Sequence, residues 1–169
     1  MTISYNYMYA IGAGFPGVEC HSTDDGSNYD SIIWDGGNAL PTKAELDSWI
    51  LSTTQYQMWL LIRGERDRRK LSGGYKVGNY WFHSDDTSRI QQMGLVMMGT
   101  NMPNNIMWKT MSNEFVLMTP TLASQIFQSA AASDQLLFET AEQKNRDMMA
   151  SSDPGSYDYL SGWPLSYGE

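Results

Sequence analysis

The chain has 169 residues, of which 41% are hydrophobic, and its formal net charge is −8. This length suits one domain, or one domain with a small appendage. The acidic balance argues against nucleic acid as a partner, because a surface that binds phosphates needs a surplus of Lys and Arg. No stretch approaches the roughly 18 consecutive apolar residues of a membrane span, so no membrane partner is expected.

Residues that bind metals or cofactors are scarce. The single cysteine, Cys20, excludes an intramolecular disulfide, and only His21 and His83 accompany it, so no metal site is expected. Neither a Walker phosphate-binding pattern nor a glycine fingerprint after a strand occurs, and we expect no cofactor. Residues 1–5 lack the charged and apolar regions of a secretory signal, which predicts folding in the cytoplasm of the producing cell.

The first forty residues are predicted to form a small β-meander. Tyr5, Tyr7 and Tyr9 recur at every second position, which is typical of a strand with one aromatic face. Residues 18–21 and 31–34 are predicted to be the second and third strands, separated by turn-forming residues.

A helix is predicted to begin after Thr42. The Thr42 hydroxyl and the Glu45 carboxylate have the spacing of a capping box. Thr53 and Thr54 are adjacent β-branched residues, so a kink or break is expected there. The glycines at 73 and 74 are expected to end the helical segment.

A hairpin and a second helix are predicted to follow. Gly78 and Asn79 separate two short aromatic strands and suit a type II′ turn, in which glycine comes first. Ser84 is predicted to cap the next helix. The inner stripe of that helix is predicted to consist of the apolar and small residues Ile90, Met93, Gly94 and Met97.

The rest of the chain predicts a second hairpin and a long helix. Residues 106–109 and 114–117 are predicted strands, and Thr119 with Pro120 marks a helix start. The helix is expected to end near Ala150. The predicted fold is therefore α+β: a small N-terminal β-meander, then helices packed on two short β-hairpins, with a long C-terminal helix. We predict an N-terminal β-unit at 1–40, an α+β domain at 41–153 and an aromatic C-terminal tail at 154–169.

A basic run lies between positions 63 and 70, with five basic and two acidic residues. One interpretation is a solvated helix end whose cations interact favourably with the helix dipole. The other is a dock for an acidic partner surface. On the second interpretation, Arg66, Arg68 and Arg69 are the candidate contact residues.

The C-terminal tail contains aromatic residues although it cannot be regular structure throughout. Tyr157, Tyr159 and Trp163 are the further candidates for protein contacts, because aromatic residues are enriched in interface cores. The tail is expected to dock on its own domain or on a partner. Truncation after Pro154 is then expected to leave the domain folded.

The sequence offers little for catalysis, and no catalytic residue is assigned. Paired carboxylates, which a glycosidase would need as acid and base, occur at Asp24/Asp25, Asp85/Asp86 and Glu139/Glu142. Each pair also fits a turn, a helix cap or a solvated helix face. Cys20 and His21 are neighbours on a predicted strand and point to opposite faces, which counts against a catalytic pair.

From Leu60 to Trp163 the chain resembles a phage tail-fibre-associated domain of unknown function, found in small tail-region proteins of tailed bacteriophages. The matching segments are residues 63–70, 81–86, 88–90, 107–110, 115–119 and 162–164. The stretches 33–34 and 40–46 also resemble the front part of such proteins.

The resemblance implies a non-enzymatic structural component of the virion tail, acting as an adaptor between tail fibre and baseplate. Its expected partners are other phage tail proteins and further copies of itself, since tail parts are symmetric. A fibre-assembly chaperone that is absent from the finished virion is the alternative. An enzyme acting on surface glycans is the third hypothesis.

Overall fold

The computed structural model describes residues 2–169, which form four α-helices and three two-stranded antiparallel sheets. The helices are α1 (Tyr7–Gly14), α2 (Lys43–Ser72), α3 (Asp86–Met98) and α4 (Pro120–Ala150). The strands are β1 (Val18–Ser22), β2 (Ile32–Gly37), β3 (Tyr75–Val77), β4 (Tyr80–Phe82), β5 (Met107–Lys109) and β6 (Phe115–Leu117). The fold is α+β, as predicted, with an N-terminal strand pair, two further hairpins and a long C-terminal helix. None of the helices within residues 2–169 has the length and apolar character of a membrane span.

The chain divides into two compact units. Unit 1 contains Met1–Leu61 and Asn145–Tyr159, and unit 2 contains Ile62–Lys144 and Leu160–Glu169. Helices α2 and α4 therefore contribute residues to both units. The domain boundaries inferred from the sequence, after residues 40 and 153, stay predictions.

Unit 1 has a small core beneath the β1–β2 pair. Its buried members are Ala10, Ile11, Ile32 and Leu46. Strands β1 and β2 pair in antiparallel register, with a bulge between Glu19 and Cys20. Two of the three strands predicted for this region are thus confirmed.

The strand predicted at the tyrosines is wrong, because residues from Tyr7 onward form α1. Asn6 caps this helix: its side-chain oxygen accepts a hydrogen bond of 2.8 Å from the Tyr9 amide. Tyr5 and Tyr9 then stack with ring centroids 4.9 Å apart. The three tyrosines therefore span the start of a helix and its first turn. Tyr5 and Tyr9 meet because side chains four positions apart lie on the same side of a helix.

Helix α2 begins as predicted and continues without the predicted break. Glu45 accepts a hydrogen bond from the Thr42 amide at 2.8 Å, and the Glu45 amide donates to the Thr42 hydroxyl at 3.3 Å. The helix passes through Thr53 and Thr54 to Ser72. Fully buried Leu46 and Met58 lie on either side of the threonine pair. Packing thus outweighs the weak helix propensity of these residues.

Unit 2 is built around two hairpins and the helices that cover them. Its core consists of Tyr75, Phe82, Leu95, Met102, Val116, Met118, Ala123, Ile126 and Ala130. The β3–β4 turn has Gly78 at φ 59°, which confirms glycine at the first position of the turn.

The cap of α3 differs from the prediction by one residue. The Asp85 carboxylate, and not the Ser84 hydroxyl, accepts the hydrogen bond of 2.9 Å from the Ser88 amide. The Ser84 hydroxyl is buried and accepts a bond of 2.9 Å from the Gly74 amide. Ser84 therefore joins the end of α2 to the start of α3. The start of α4 agrees with the prediction, since the Thr119 hydroxyl accepts from the Leu122 amide at 3.1 Å.

Candidate protein-interaction surfaces

Arg69 is the centre of a polar cluster in unit 2. It is only 7% exposed. Its Nε donates to Glu65 at 2.7 Å, and its two terminal nitrogens donate to the two carboxylate oxygens of Glu169 at 2.9 and 2.8 Å. Further bonds reach the Pro164 carbonyl at 3.0 Å and the Ser166 hydroxyl at 3.2 Å. The buried charge of Arg69 is therefore paired with carboxylates, and its hydrogen bonds hold residues 164–169 against α2.

Two cations lie close to the ring of Trp163. The Arg69 guanidinium is 5.8 Å from the ring centroid and the Lys144 ammonium is 5.6 Å from it. Trp163 is 9% exposed. Arg69 and Trp163, both candidate contact residues, are thus brought together inside unit 2. Their removal from water also argues against the expectation that truncation after Pro154 leaves the fold intact.

Arg66 and Arg68 lie on the same helix with different surroundings. Arg68 pairs with Glu65 through two hydrogen bonds of 2.7 and 2.6 Å. Arg66 pairs with Asp67 at 2.7 Å and lies 4.3 Å from the centroid of the Phe138 ring. Each predicted contact arginine therefore has an intramolecular partner, and its role towards another protein stays a prediction.

Tyr157 and Tyr159 belong to unit 1, where both are half-buried. Burial raises the pKa of Tyr157, and nearby Asp147 and Asp158 raise it further. The preceding Gly155 packs closely against Ile3. The Ile3 amide donates a hydrogen bond of 2.9 Å to the Gly155 carbonyl. This part of the tail is therefore docked on its own unit.

The predicted inner stripe of α3 is wrong, because it faces outward. Ile90 is 65% exposed, Met93 46% and Met97 80%. Gly94 lies on the same side, and no heavy atom lies within 4 Å of the position that a Cβ there would occupy. We name Ile90, Met93, Gly94 and Met97 the helix face. It is an apolar surface that nothing in residues 2–169 covers.

Polar contacts set the rotation of α3. Gln92 is 3% exposed, accepts a hydrogen bond from the Tyr75 hydroxyl and donates to the His83 carbonyl at 3.0 Å. Arg89 donates two hydrogen bonds of 2.8 Å to Asp134. These contacts place Gln92 and Leu95 inward and turn the helix face to solvent. Burial of a polar side chain, which hydrophobic periodicity does not detect, explains the wrong prediction.

A cleft of about 160 Å³ adjoins the helix face. Its apolar lining comes from Ile90 and Met93 of α3 and from Phe127 and Ala130 of α4, and Tyr75, Arg89 and Gln92 complete it. Phe127 is 48% exposed. The cleft is therefore a recess with a mainly apolar lining, and it is continuous with the helix face.

The β5–β6 hairpin exposes a second apolar surface. Met107 and Leu117 are direct cross-strand partners and are 53% and 49% exposed. Phe115 is 64% exposed and lies opposite Lys109. We name Met107, Phe115 and Leu117 the hairpin face. Ser88 and Gln91 of α3 line a shallow recess beside Met107, so polar residues occupy the side of α3 that adjoins this hairpin.

Two carboxylates from the candidate pairs, Asp24 and Asp85, have structural roles. Asp24 accepts hydrogen bonds from Ser31, Ser22 and the Gly26 amide, and these bonds lower its pKa. The Asp85 cap has a lowered pKa for a similar reason, since Ser88 donates to it. A glycosidase acid needs a raised pKa, so these environments do not suit that role.

Unit 1 contains an open cleft of about 470 Å³. Its walls include residues 3–7, α2 residues such as Asp47 and Ile50, and the turn at 153–155. Asp47 accepts a hydrogen bond of 2.7 Å from the Tyr7 hydroxyl and pairs with Lys43 at 2.6 Å. Within the described residues, no group of three or more His, Cys, Asp or Glu side chains is placed to hold a metal ion.

Cys20 and His21 point to opposite sides of β1, as predicted from their adjacency. Burial raises the pKa of the Cys20 thiol, and Asp35 raises it further. A nucleophilic cysteine requires the opposite shift. The His21 ring contacts Asp35 at 2.8 Å.

Comparison with known protein families gives a match. Residues 53–161 match a family described as "Domain of unknown function (DUF4376)". No curated protein matches the chain. No solved structure matches it.

Proposed function

This chain belongs to the DUF4376 family, and we propose that it is a non-enzymatic structural component of a tailed-phage virion. In this proposal it acts as an adaptor that links tail fibre and baseplate parts. The family description specifies no activity, so the assignment to a phage tail rests on the sequence resemblance from Leu60 to Trp163.

One structural observation supports the adaptor role: unit 2 exposes two separate apolar faces. An adaptor needs at least two surfaces that bind other proteins. Large exposed apolar patches on a folded protein mark such surfaces. The helix face and the hairpin face meet this requirement, and methionine and phenylalanine are among the residues enriched in interface cores.

The hairpin face is the proposed contact with a different tail protein. Lys109 lies opposite Phe115 and adds one positive charge beside the apolar side chains. A surface of this kind suits a partner that presents an apolar patch with an acidic rim.

The experiment is mass spectrometry of purified particles of the encoding phage, with copy number per particle. The wild-type chain is expected at a fixed copy number that is a multiple of the tail symmetry. Leu117→Lys should lower the copy number at least about tenfold, because a charge would replace an apolar side chain that the proposed contact buries. Leu136→Lys is the control, since Leu136 is 50% exposed and lies outside both faces.

Two outcomes would change the proposal. Absence of the wild-type chain from particles, despite expression in infected cells, would favour the assembly chaperone. The methionines of the helix face are compatible with that role, because methionine adapts to varied partners. Normal incorporation of Leu117→Lys would instead exclude the hairpin face as the tail contact.

A further inference from the structure

We propose that the helix face binds a second copy of this chain, with two α3 helices packed antiparallel about a two-fold axis near Met93 and Gly94. This inference deepens the proposed adaptor function by naming one of its partners. It rests on the spacing of the helix face, the environment of Gly94, the adjoining cleft and the distribution of charge.

The spacing of the helix face is that of a helix-packing seam. Ile90, Met93, Gly94 and Met97 are at positions i, i+3, i+4 and i+7. At 100° per residue they occupy an arc of about 100° of the helix surface. Such an arc is what one helix presents to another. The natural occupant is therefore a helix.

Gly94 has no explanation within its own chain. A glycine inside a helix costs about 1 kcal/mol relative to alanine. Here no positive φ requires it, and no neighbouring atom lies within 4 Å of the missing Cβ. A small residue beside large ones lets a facing backbone approach closely. The approaching helix would thus come from outside the described fold.

The arrangement of large and small residues is self-complementary. Reversing the helix about a point between Met93 and Gly94 exchanges these two residues and also exchanges Ile90 with Met97. In an antiparallel pair, the second copy's Met93 then meets Gly94, and its Met97 meets Ile90. Such reciprocal contacts define a two-fold interface.

The cleft beside Ile90 provides a recess for the methionine that faces it. Met97 is the most exposed residue of the face at 80%, and the cleft wall contains Ile90. Its volume of about 160 Å³ is similar to the roughly 150 Å³ of a cavity that accepts benzene. One methionine side chain therefore fits it. The two-fold axis repeats this insertion on the other side.

The charge distribution favours the helix face over the hairpin face for self-association. Asp86 and Arg89 are the only charged residues of α3, and Arg89 is paired with Asp134. None of the four residues of the helix face is charged. The hairpin face would bring two copies of Lys109 together. Like charges at such a contact oppose binding.

Sedimentation of the purified full chain tests this proposal. The wild-type chain should show a reversible monomer–dimer equilibrium. Met97→Lys should raise the dissociation constant at least about tenfold. Because the chain has a net charge of −8, the added lysine reduces general repulsion, so the loss would be specific to the site.

Met149→Lys is the matched control. Met149 is 52% exposed and, like Met97, is the last residue but one of its helix. Both substitutions add the same charge beside a helix C-terminus, where a cation is tolerated. The control should dimerise as the wild type does.

Cysteine cross-linking tests the antiparallel register. In a Cys20→Ser background, a mixture of Ile90→Cys and Met97→Cys chains should form a mixed disulfide faster than either chain alone. Equal rates in the mixture and in the separate chains would overturn the antiparallel arrangement.

The outcomes separate this inference from the proposed function. A wild-type chain that stays monomeric at all concentrations would overturn the self-association. Dimerisation unaffected by Met97→Lys would also overturn it. In both cases incorporation of the chain into particles can still be measured, so the adaptor role is judged independently.

Discussion

Arg69 and Glu169 lie 100 positions apart in the sequence and are joined by two hydrogen bonds, Nη1 to Oε2 at 2.9 Å and Nη2 to Oε1 at 2.8 Å. Arginine and carboxylate geometries match in such paired contacts, which are among the stronger polar interactions in proteins. The pair fastens residues 164–169 to α2. It gives the basic run a structural role inside unit 2.

Glu169→Gln should lower the free energy of unfolding at neutral pH and abolish part of the pH dependence of that free energy. The hydrogen bond from Arg69 lowers the pKa of Glu169. A carboxyl with a lowered folded pKa stabilises the fold above its unfolded pKa of about 4.3, and this contribution is lost as the pH falls through the folded pKa. Urea midpoints measured from neutral to acid pH should therefore differ at pH 7 and converge in acid.

Glu139→Gln is the control for that experiment. Glu139 accepts a hydrogen bond of 2.8 Å from Gln135 on the exposed side of α4, and glutamine preserves the accepting oxygen. Its urea midpoint should match the wild type. A constant difference between Glu169→Gln and wild type at every pH would contradict the stabilising role of the ionised carboxylate.

The Tyr75–Gln92 bond should behave as a coupled pair. Tyr75→Phe leaves the buried Gln92 oxygen without its donor, which costs about 1–3 kcal/mol of the free energy of unfolding. Gln92→Met leaves the Tyr75 hydroxyl and the His83 carbonyl without partners. The double variant should be more stable than the sum of the two losses predicts. Strict additivity in urea unfolding would show that the two side chains contribute to stability independently.

Gly155→Ala should destabilise the protein, whereas Gly12→Ala should not. A Cβ at residue 155 would lie 2.1 Å from the Ile3 carbonyl oxygen. The backbone must move, at a cost of about 1–3 kcal/mol. A Cβ at Gly12, in α1, meets nothing within 4 Å, so alanine should stabilise that helix by up to about 1 kcal/mol. Thermal unfolding should shift in opposite directions for the two variants.

Gly94→Ala should have opposite effects on folding and on self-association. Alanine raises helix propensity by about 1 kcal/mol, so the melting temperature of dilute protein should increase. The added methyl group would separate the paired helices and raise the dissociation constant. Gly64→Ala is the control, because Gly64 lies within α2 and has the same open surroundings. It should raise the melting temperature and leave association unchanged.

Local signals predicted the element boundaries well. Thr42 with Glu45, and Thr119 with Pro120, are confirmed as helix starts because capping depends on residues within one turn of each other. Gly78 is confirmed as the first turn residue for the same local reason. The tyrosines near the N-terminus were misassigned because their period of two arises where an extended segment enters a helix.

The candidate surface could be predicted only in part. Periodicity correctly grouped Ile90, Met93, Gly94 and Met97 on one side of a helix. Whether this side of α3 faces the core or the solvent depends on contacts with residues distant in sequence, chiefly Tyr75 with Gln92 and Asp134 with Arg89. A sequence pattern shows that a face is apolar, but the identity of its neighbour requires the fold. Such departures from local rules are expected at functional sites.

The exposure of Met97 makes the helix face sensitive to oxidation. Thioethers in contact with solvent are converted to sulfoxides, which are polar and chiral, while methionines enclosed by the fold are protected. Met97 is 80% exposed, whereas Met58 and Met148 are fully buried. Mild peroxide should therefore modify Met97 before the methionines of the core and leave the melting temperature of dilute, monomeric protein unchanged. Oxidised protein would then lose the proposed pairing of α3 helices while remaining folded.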